Sequence, residues 1–128
     1  MAAIRDLAIL LREMQPVLHE APYGYGFVAR GGAVPDIAVF ARIAEEEGTT
    51  LIAPQAVLVA AGVAAPEAWA RISLTVQSDL AAVGLTAALA SALAGRGISA
   101  NVVAGFHHDH IFVQWDRRAD AMQALRDV

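Results

Sequence analysis

The sequence predicts an α+β fold of two similar halves, each with an antiparallel sheet and helices packed on one face. Three observations carry this expectation. Apolar residues make up 57% of the chain and charged residues 17%, against roughly 45–50% and 25% in an ordinary globular domain, so the balance favours burial and excludes disorder. The hydrophobic spacing switches repeatedly between the period of a strand and that of a helix, so the two kinds of element interleave. The 128 residues suffice for one compact domain or two very small ones. Each half, 1–66 and 67–128 with a seam near Pro66, is too small to bury a sheet alone, so the two are expected to share a core. The apolar excess also hints at self-association.

In the first half, Ile4, Leu7, Leu11 and Met14 recur at helical spacing with Arg5, Asp6, Arg12 and Glu13 opposite, which predicts an amphipathic helix over 3–14 that Pro16 ends. Tyr23, Tyr25 and Phe27 alternate with Gly24, Gly26 and Val28, a strand whose glycines suggest close backbone approach. Gly31-Gly32 and Pro35 mark a turn. Residues 37–44 fit neither period cleanly and are read as a strand. Glu45-Glu46-Glu47-Gly48 is a polar turn into a strand over 49–53, and Pro54 is placed to open a short helix that Gly62 closes.

In the second half, Ile72, Leu74 and Val76 alternate with Arg71, Ser73 and Thr75, the pattern of a strand with one buried face. Ser78 or Asp79 can cap an Ala-rich helix over 80–95, with Leu85, Leu89 and Leu93 four apart and Gly95-Arg96-Gly97 closing it. Strands over 98–104 and 110–115 follow, joined by Gly105-Phe106-His107-His108-Asp109, and helical spacing returns from Arg117 to Asp127.

The net charge of −4 argues against a nucleic-acid partner, which needs clustered Lys and Arg. All nine basic residues are arginine, and a phosphate loop needs a lysine. With no cysteine there is no disulfide framework or thiol nucleophile. No apolar run is long enough for a signal-peptide core or a membrane span, so a cytoplasmic protein is expected, without a membrane partner. There is no GxSxG turn and no serine with an obvious paired base. No cofactor is expected.

The run Ala82-Val83-Gly84-Leu85-Thr86-Ala87-Ala88, continuing through Gly97-Ile98-Ser99-Ala100-Asn101-Val102-Val103, resembles the ACT domain. This is a small ferredoxin-like βαββαβ ligand-sensing module. The likeness is to the ACT pairs of aspartate kinases and of arginine sensors, and to small bacterial proteins made of two ACT-like halves. It extends to the hairpin ending Asp109-His110-Ile111-Phe112-Val113, covering 68–116 well and the first half only by element order. The second half departs from the pattern in lacking a final strand after its second helix.

The resemblance implies a small amino acid or similar zwitterion bound between two domains, near the start of the first helix and the edge of the neighbouring sheet. Physical chemistry agrees with that placement. A helix start offers unpaired N–H groups and the positive end of its dipole to a carboxylate, and Gly84 would let a ligand approach the backbone of Val83, Leu85 and Thr86. Asp109, matching the aspartate of the arginine-sensor hairpin, is the candidate anion for an ammonium group, with Asp79 second. Asn101 could bond either end of the ligand. The expected protein is a non-enzymatic homodimeric sensor that acts on a separate protein target.

Plainer readings stand beside these. Gly84 could serve helix packing, Ser78 and Asp79 could be caps, Asn101 a satisfied strand residue, and Asp109 a turn former. His107-His108-Asp109-His110 carries metal-ligand residue types, so a small metal-dependent enzyme is the alternative. However, side chains alternate along an extended chain, and His19 is far off in sequence. A third reading is a purely structural dimerisation module.

Overall fold

The computed structural model describes residues 6–76 and 79–128. In chain order the elements are α1 (Leu7–Glu13), β1 (Pro16–Leu18), β2 (Tyr23–Ala29), β3 (Ala41–Ala44), β4 (Gly48–Pro54), α2 (Gln55–Ala60), β5 (Trp69–Leu74), α3 (Leu85–Ala94), β6 (Asn101–Ala104), β7 (Asp109–Gln114), a 3₁₀ turn (Trp115–Arg117) and α4 (Arg118–Arg126). By contact they form two compact units. One comprises the chain up to His19 together with Ala70–Val128, and the other is Glu20–Trp69. The segment before Glu20 therefore packs with the second half of the chain, which sequence order does not convey.

In the first unit the strands neighbour one another in the order β1, β5, β7, β6. This is the order of a split βαβ arrangement whose fourth strand comes from near the N-terminus. Pro16 ends α1, as expected, and also opens β1, a strand the sequence did not suggest. β1 pairs antiparallel with β5, Pro16 opposite Leu74, Val17 opposite Ser73 and Leu18 opposite Ile72. The final strand that the second half lacks is thus supplied by this segment. On β5 the alternation holds: Ala70, Ile72 and Leu74 are buried, while Arg71 and Ser73 are partly exposed on the other face. The buried face joins Ile111 and Val113 of β7 against Leu10 and Met14, against Leu85, Leu89 and Leu93 of α3, and against Ala121, Met122, Ala124 and Leu125 of α4.

α1 is only seven residues long, too short to hold alone. It is secured by the Asp6 carboxylate, which accepts the Ile9 N–H at 3.1 Å, and by fully buried Leu10. α3 begins at Leu85, not at residue 80, because Gly84 takes φ +96° and residues 79–84 are turn or irregular. Its far end closes as expected, with the Ile98 N–H donating to the Leu93 carbonyl at 3.0 Å. β6 begins at Asn101; Ile98 belongs to the core.

In the second unit β4 lies between β3 and β2 and pairs antiparallel with both, Tyr23 opposite Pro54 through Ala29 opposite Gly48. The β3–β4 turn is the expected polar Glu45–Gly48 reversal, with the Thr50 hydroxyl donating to the Glu45 carboxylate. Of the strand expected over 37–44, only Ala41–Ala44 forms. Residues 33–39 have no regular structure, and Val34, Ile37 and Val39 pack on the small core of Leu51, Ala53, Leu58, Val63 and Ala65. The Tyr-Gly-Tyr-Gly alternation has a packing cause. A Cβ on Gly26 would lie 2.5 Å from Val63 Cγ1, and one on Gly24 2.8 Å from Ala65 Cβ, so only glycine lets this segment close on β2. The opposite face carries aromatics: Tyr25 stands edge-on to Trp69 at 5.7 Å and Tyr23 to Phe40 at 6.4 Å. Among the described residues no helix is long and apolar enough to cross a membrane.

Candidate functional site

Gly84 is the N-cap of α3 and provides no side-chain bond to the first turn. Its carbonyl accepts the Ala88 N–H at 2.9 Å, leaving the N–H groups of the first turn without an intrahelical acceptor. Val83 is 83% exposed and Thr86 is exposed, whereas the Leu85 side chain is buried in the core, so Leu85 can offer a ligand only its backbone. Gly84 also serves packing, since a Cβ there would lie 3.0 Å from Leu7 Cδ2.

Asp79 caps a turn that precedes α3, not the helix. Its carboxylate accepts the Ala81 N–H at 2.8 Å and its carbonyl the Ala82 N–H at 2.8 Å. Ser78, the other cap candidate, lies outside the described residues.

Asp109 opens β7 opposite Ala104 and is buried, with 8% exposure. Residues 109, 111 and 113 alternate onto one face of the strand, and Ile111 and Val113 of that set meet the helices, so Asp109 projects on the side where α3 packs. Asn101 sits at the other end of the hairpin, opposite Phe112, with its side-chain amide donating to the Phe112 carbonyl at 3.4 Å. By the same alternation it projects on the face away from the helices. The hairpin therefore separates Asn101 from Asp109, while Asp109 and Val83–Thr86 share a side of the sheet.

The histidines of the hairpin diverge. His107 is edge-on to Phe106 at 5.0 Å, His108 Nδ1 donates to the Val76 carbonyl at 3.4 Å, and His110 turns to Ser73. Among the described residues no group of three His, Cys, Asp or Glu side chains is placed to hold a metal ion. The alternative of a metal centre on His107, His108, Asp109 and His110 thus lacks a convergent ligand set.

A different cluster forms on the face away from the helices. Ser73 Oγ lies 2.8 Å from His110 Nδ1 and 2.8 Å from His19 Nε2, and an Arg71 guanidinium nitrogen lies 3.4 Å from the same His110 Nδ1. Arginine can only donate, so His110 Nδ1 is an acceptor. The serine hydroxyl then also donates to it, and His19 Nε2–H donates to Ser73. Burial, then the Arg71 guanidinium, then His19 and His108, push the His110 pKa down to about 4 against the opposing pull of Asp109. His19 is lowered by burial and then by Arg71. The expectation that no serine has a paired base is corrected here: Ser73 sits between two imidazoles. The strand alternation that puts Arg71 and Ser73 on one face was the available signal.

A cavity of about 410 Å³ lies in the second unit among Arg30, Gly31, Val34, Glu45 and Gly48, and none of the sequence-predicted site residues lines it.

Comparison with known proteins places these observations. Family models described as ACT domain match residues 64–127 and residues 2–70. No curated protein matches the chain. A solved structure from Vibrio cholerae, of a protein of unknown function described as a possible transport protein, is 41% identical, with 98% of each chain covered and a TM-score of 0.82. A protein from Agrobacterium tumefaciens is 18% identical over 90% of this chain and 88% of its own, with a TM-score of 0.72. The regulatory subunit of aspartate kinase from Thermus flavus is 13% identical over 88% and 95%, with a TM-score of 0.62, a likeness of fold.

Proposed function

The chain belongs to the ACT domain family, and from that premise we propose that it is a non-enzymatic sensor of a small amino acid or similar zwitterion. ACT domains are regulatory modules. The fold it shares with the aspartate kinase regulatory subunit is in keeping with that role. We read the chain as two repeats, 1–66 and 67–128, a division in keeping with the two family matches.

One observation carries the proposed site: an uncapped start of α3 at Gly84 and a buried carboxylate, Asp109, on the same side of one sheet. The ligand carboxylate would take the backbone N–H groups of Leu85 and Thr86, and Asp109 would face its ammonium group. Asp79, engaged in its own turn, would be a rim residue of this site. Asn101, on the other face, is left to strand pairing. Binding would act by favouring one arrangement of the protein over another and so its affinity for a separate target protein. Exposed Leu80, Val83 and Phe106, at 64%, 83% and 79%, support a homodimer.

Thermal unfolding of ligand-free protein with each of the twenty amino acids tests the reading. One or a few should raise the midpoint by mass action. Asp109→Asn, which keeps the side chain's shape and removes its charge, should remove the rise. A midpoint unmoved by every amino acid at millimolar concentration would defeat the sensor reading. A rise that survives Asp109→Asn would move the site elsewhere.

A further inference from the structure

Arg71 and Ser73 of β5, His110 of β7, and His19, whose N–H donates to the Arg71 carbonyl at 2.9 Å directly after β1, bring four polar side chains to one place on the sheet face away from the helices. We infer that this cluster is a binding site for a small oxyanion, a carboxylate or phosphate group, held by the Arg71 guanidinium, with the two imidazoles as further donors once they are protonated. Gly84, Leu85, Thr86 and Asp109, which carry the amino-acid reading, are not members of the cluster.

Convergence is the first argument. Ser73 Oγ ties His19 to His110 through two contacts of 2.8 Å, and Arg71 reaches the same ring nitrogen of His110 at 3.4 Å. These contacts fix the ring orientations before any ligand arrives. All four side chains remain partly exposed, so an ion from solvent reaches them. With Nδ1 of His110 accepting, its proton lies on Nε2. The planar guanidinium suits the paired oxygens of carboxylate and phosphate.

Electrostatics agree. Arg71, His19 and His108 all disfavour a proton on His110, and Asp109 favours one. The Arg71 guanidinium, whose charge repels a proton from His110, attracts an anion to the same place. Once an oxyanion sits there, its charge offsets that of Arg71, and His110 and His19 protonate more readily, which adds N–H donors to the ligand. Anion binding and proton uptake are therefore coupled, and each strengthens the other.

Histidine ring resonances of the full chain, followed by NMR through a pH titration in chloride, in inorganic phosphate and in acetate at matched ionic strength, test this. In chloride His110 should titrate near 4. A saturable rise of about one unit or more in phosphate, in acetate or in both supports the site, and which of the two acts identifies the chemical group. Arg71→Gln should remove the dependence on the anion. Identical midpoints in all three salts, a rise that never saturates, or one that survives Arg71→Gln would overturn the inference. Should that variant fail to fold, saturation in the unaltered protein still decides.

Discussion

Val17 lies directly opposite Ser73, so a three-residue segment near the N-terminus completes the sheet of a unit whose other strands begin fifty residues later. On either side of this pair the His19 N–H donates to Arg71 and the Thr75 N–H to Gln15. In an antiparallel ladder that spacing makes Val17 opposite Ser73 a hydrogen-bonded pair, with the Val17 N–H pointing into the sheet.

Val17→Pro removes that donor and should destabilise the protein by about 1–3 kcal/mol, the cost of leaving a ladder acceptor unmet. Val17→Ala keeps the donor at a position whose side chain is 46% exposed, and should cost much less. Urea unfolding of both variants checks this. Equal midpoints would mean that β1 contributes nothing to the unit.

The leucines of α3 are expected to dominate its packing. Leu89, 1% exposed between Leu85 and Leu93, should lose about 2–5 kcal/mol on truncation to alanine. Phe106, a larger side chain that is 79% exposed, should change stability by no more than about 0.5 kcal/mol when truncated. Denaturant midpoints that reversed this order would contradict the assignment of the core.

Much of the second half was legible because single elements carry their own signal. The alternation over 71–74 and the leucine spacing over 85–93 each report one buried face. β1 was not legible, since three residues have no period and its partner lies far along the chain. The start of α3 was misplaced because Ala81 and Ala82 favour a helix, while the left-handed backbone of Gly84 interrupts it. Residues 33–39 fit no period because Val34, Ile37 and Val39 reach their core from an irregular path. Asp109 could be singled out only through the resemblance of its hairpin to that of the arginine sensors. For the His19, Ser73 and His110 cluster the alternation of β5 signals only that Arg71 and Ser73 share a face; the histidines could not be placed beside them, since those contacts span 54 and 37 residues and depend on β1 being a strand.

Gly84→Ala tests the helix start on its own terms. A φ of +96° is strained for any residue with a Cβ, and the added atom would press on the Leu7 side chain. A loss of about 1–2 kcal/mol is expected from the backbone alone. Shortening the neighbour in Leu7→Ala/Gly84→Ala should relieve the contact but not the dihedral strain. A double-mutant cycle on thermal or urea unfolding separates the two. An additive cycle would show that Leu7 yields without cost.

The His110 and Ser73 pair makes stability depend on pH with a definite sign. The unfolded chain protonates this imidazole near its ordinary value of 6.5, and the folded chain only near 4. Between those values the unfolded state takes up a proton that the folded state refuses, so stability falls as pH drops from about 6.5 to about 4. Below that the loss is complete, and above 6.5 the group contributes no slope. His19, lowered by burial and by Arg71, acts in the same direction. His110→Asn retains an acceptor for Ser73 but cannot titrate, so its urea midpoint should fall less between pH 7 and pH 4.5 than that of the unaltered protein. Part of the slope should remain through His19. If the two midpoints fall in parallel across this range, His110 titrates alike in the folded and unfolded states, and the electrostatic argument for its surroundings fails with it.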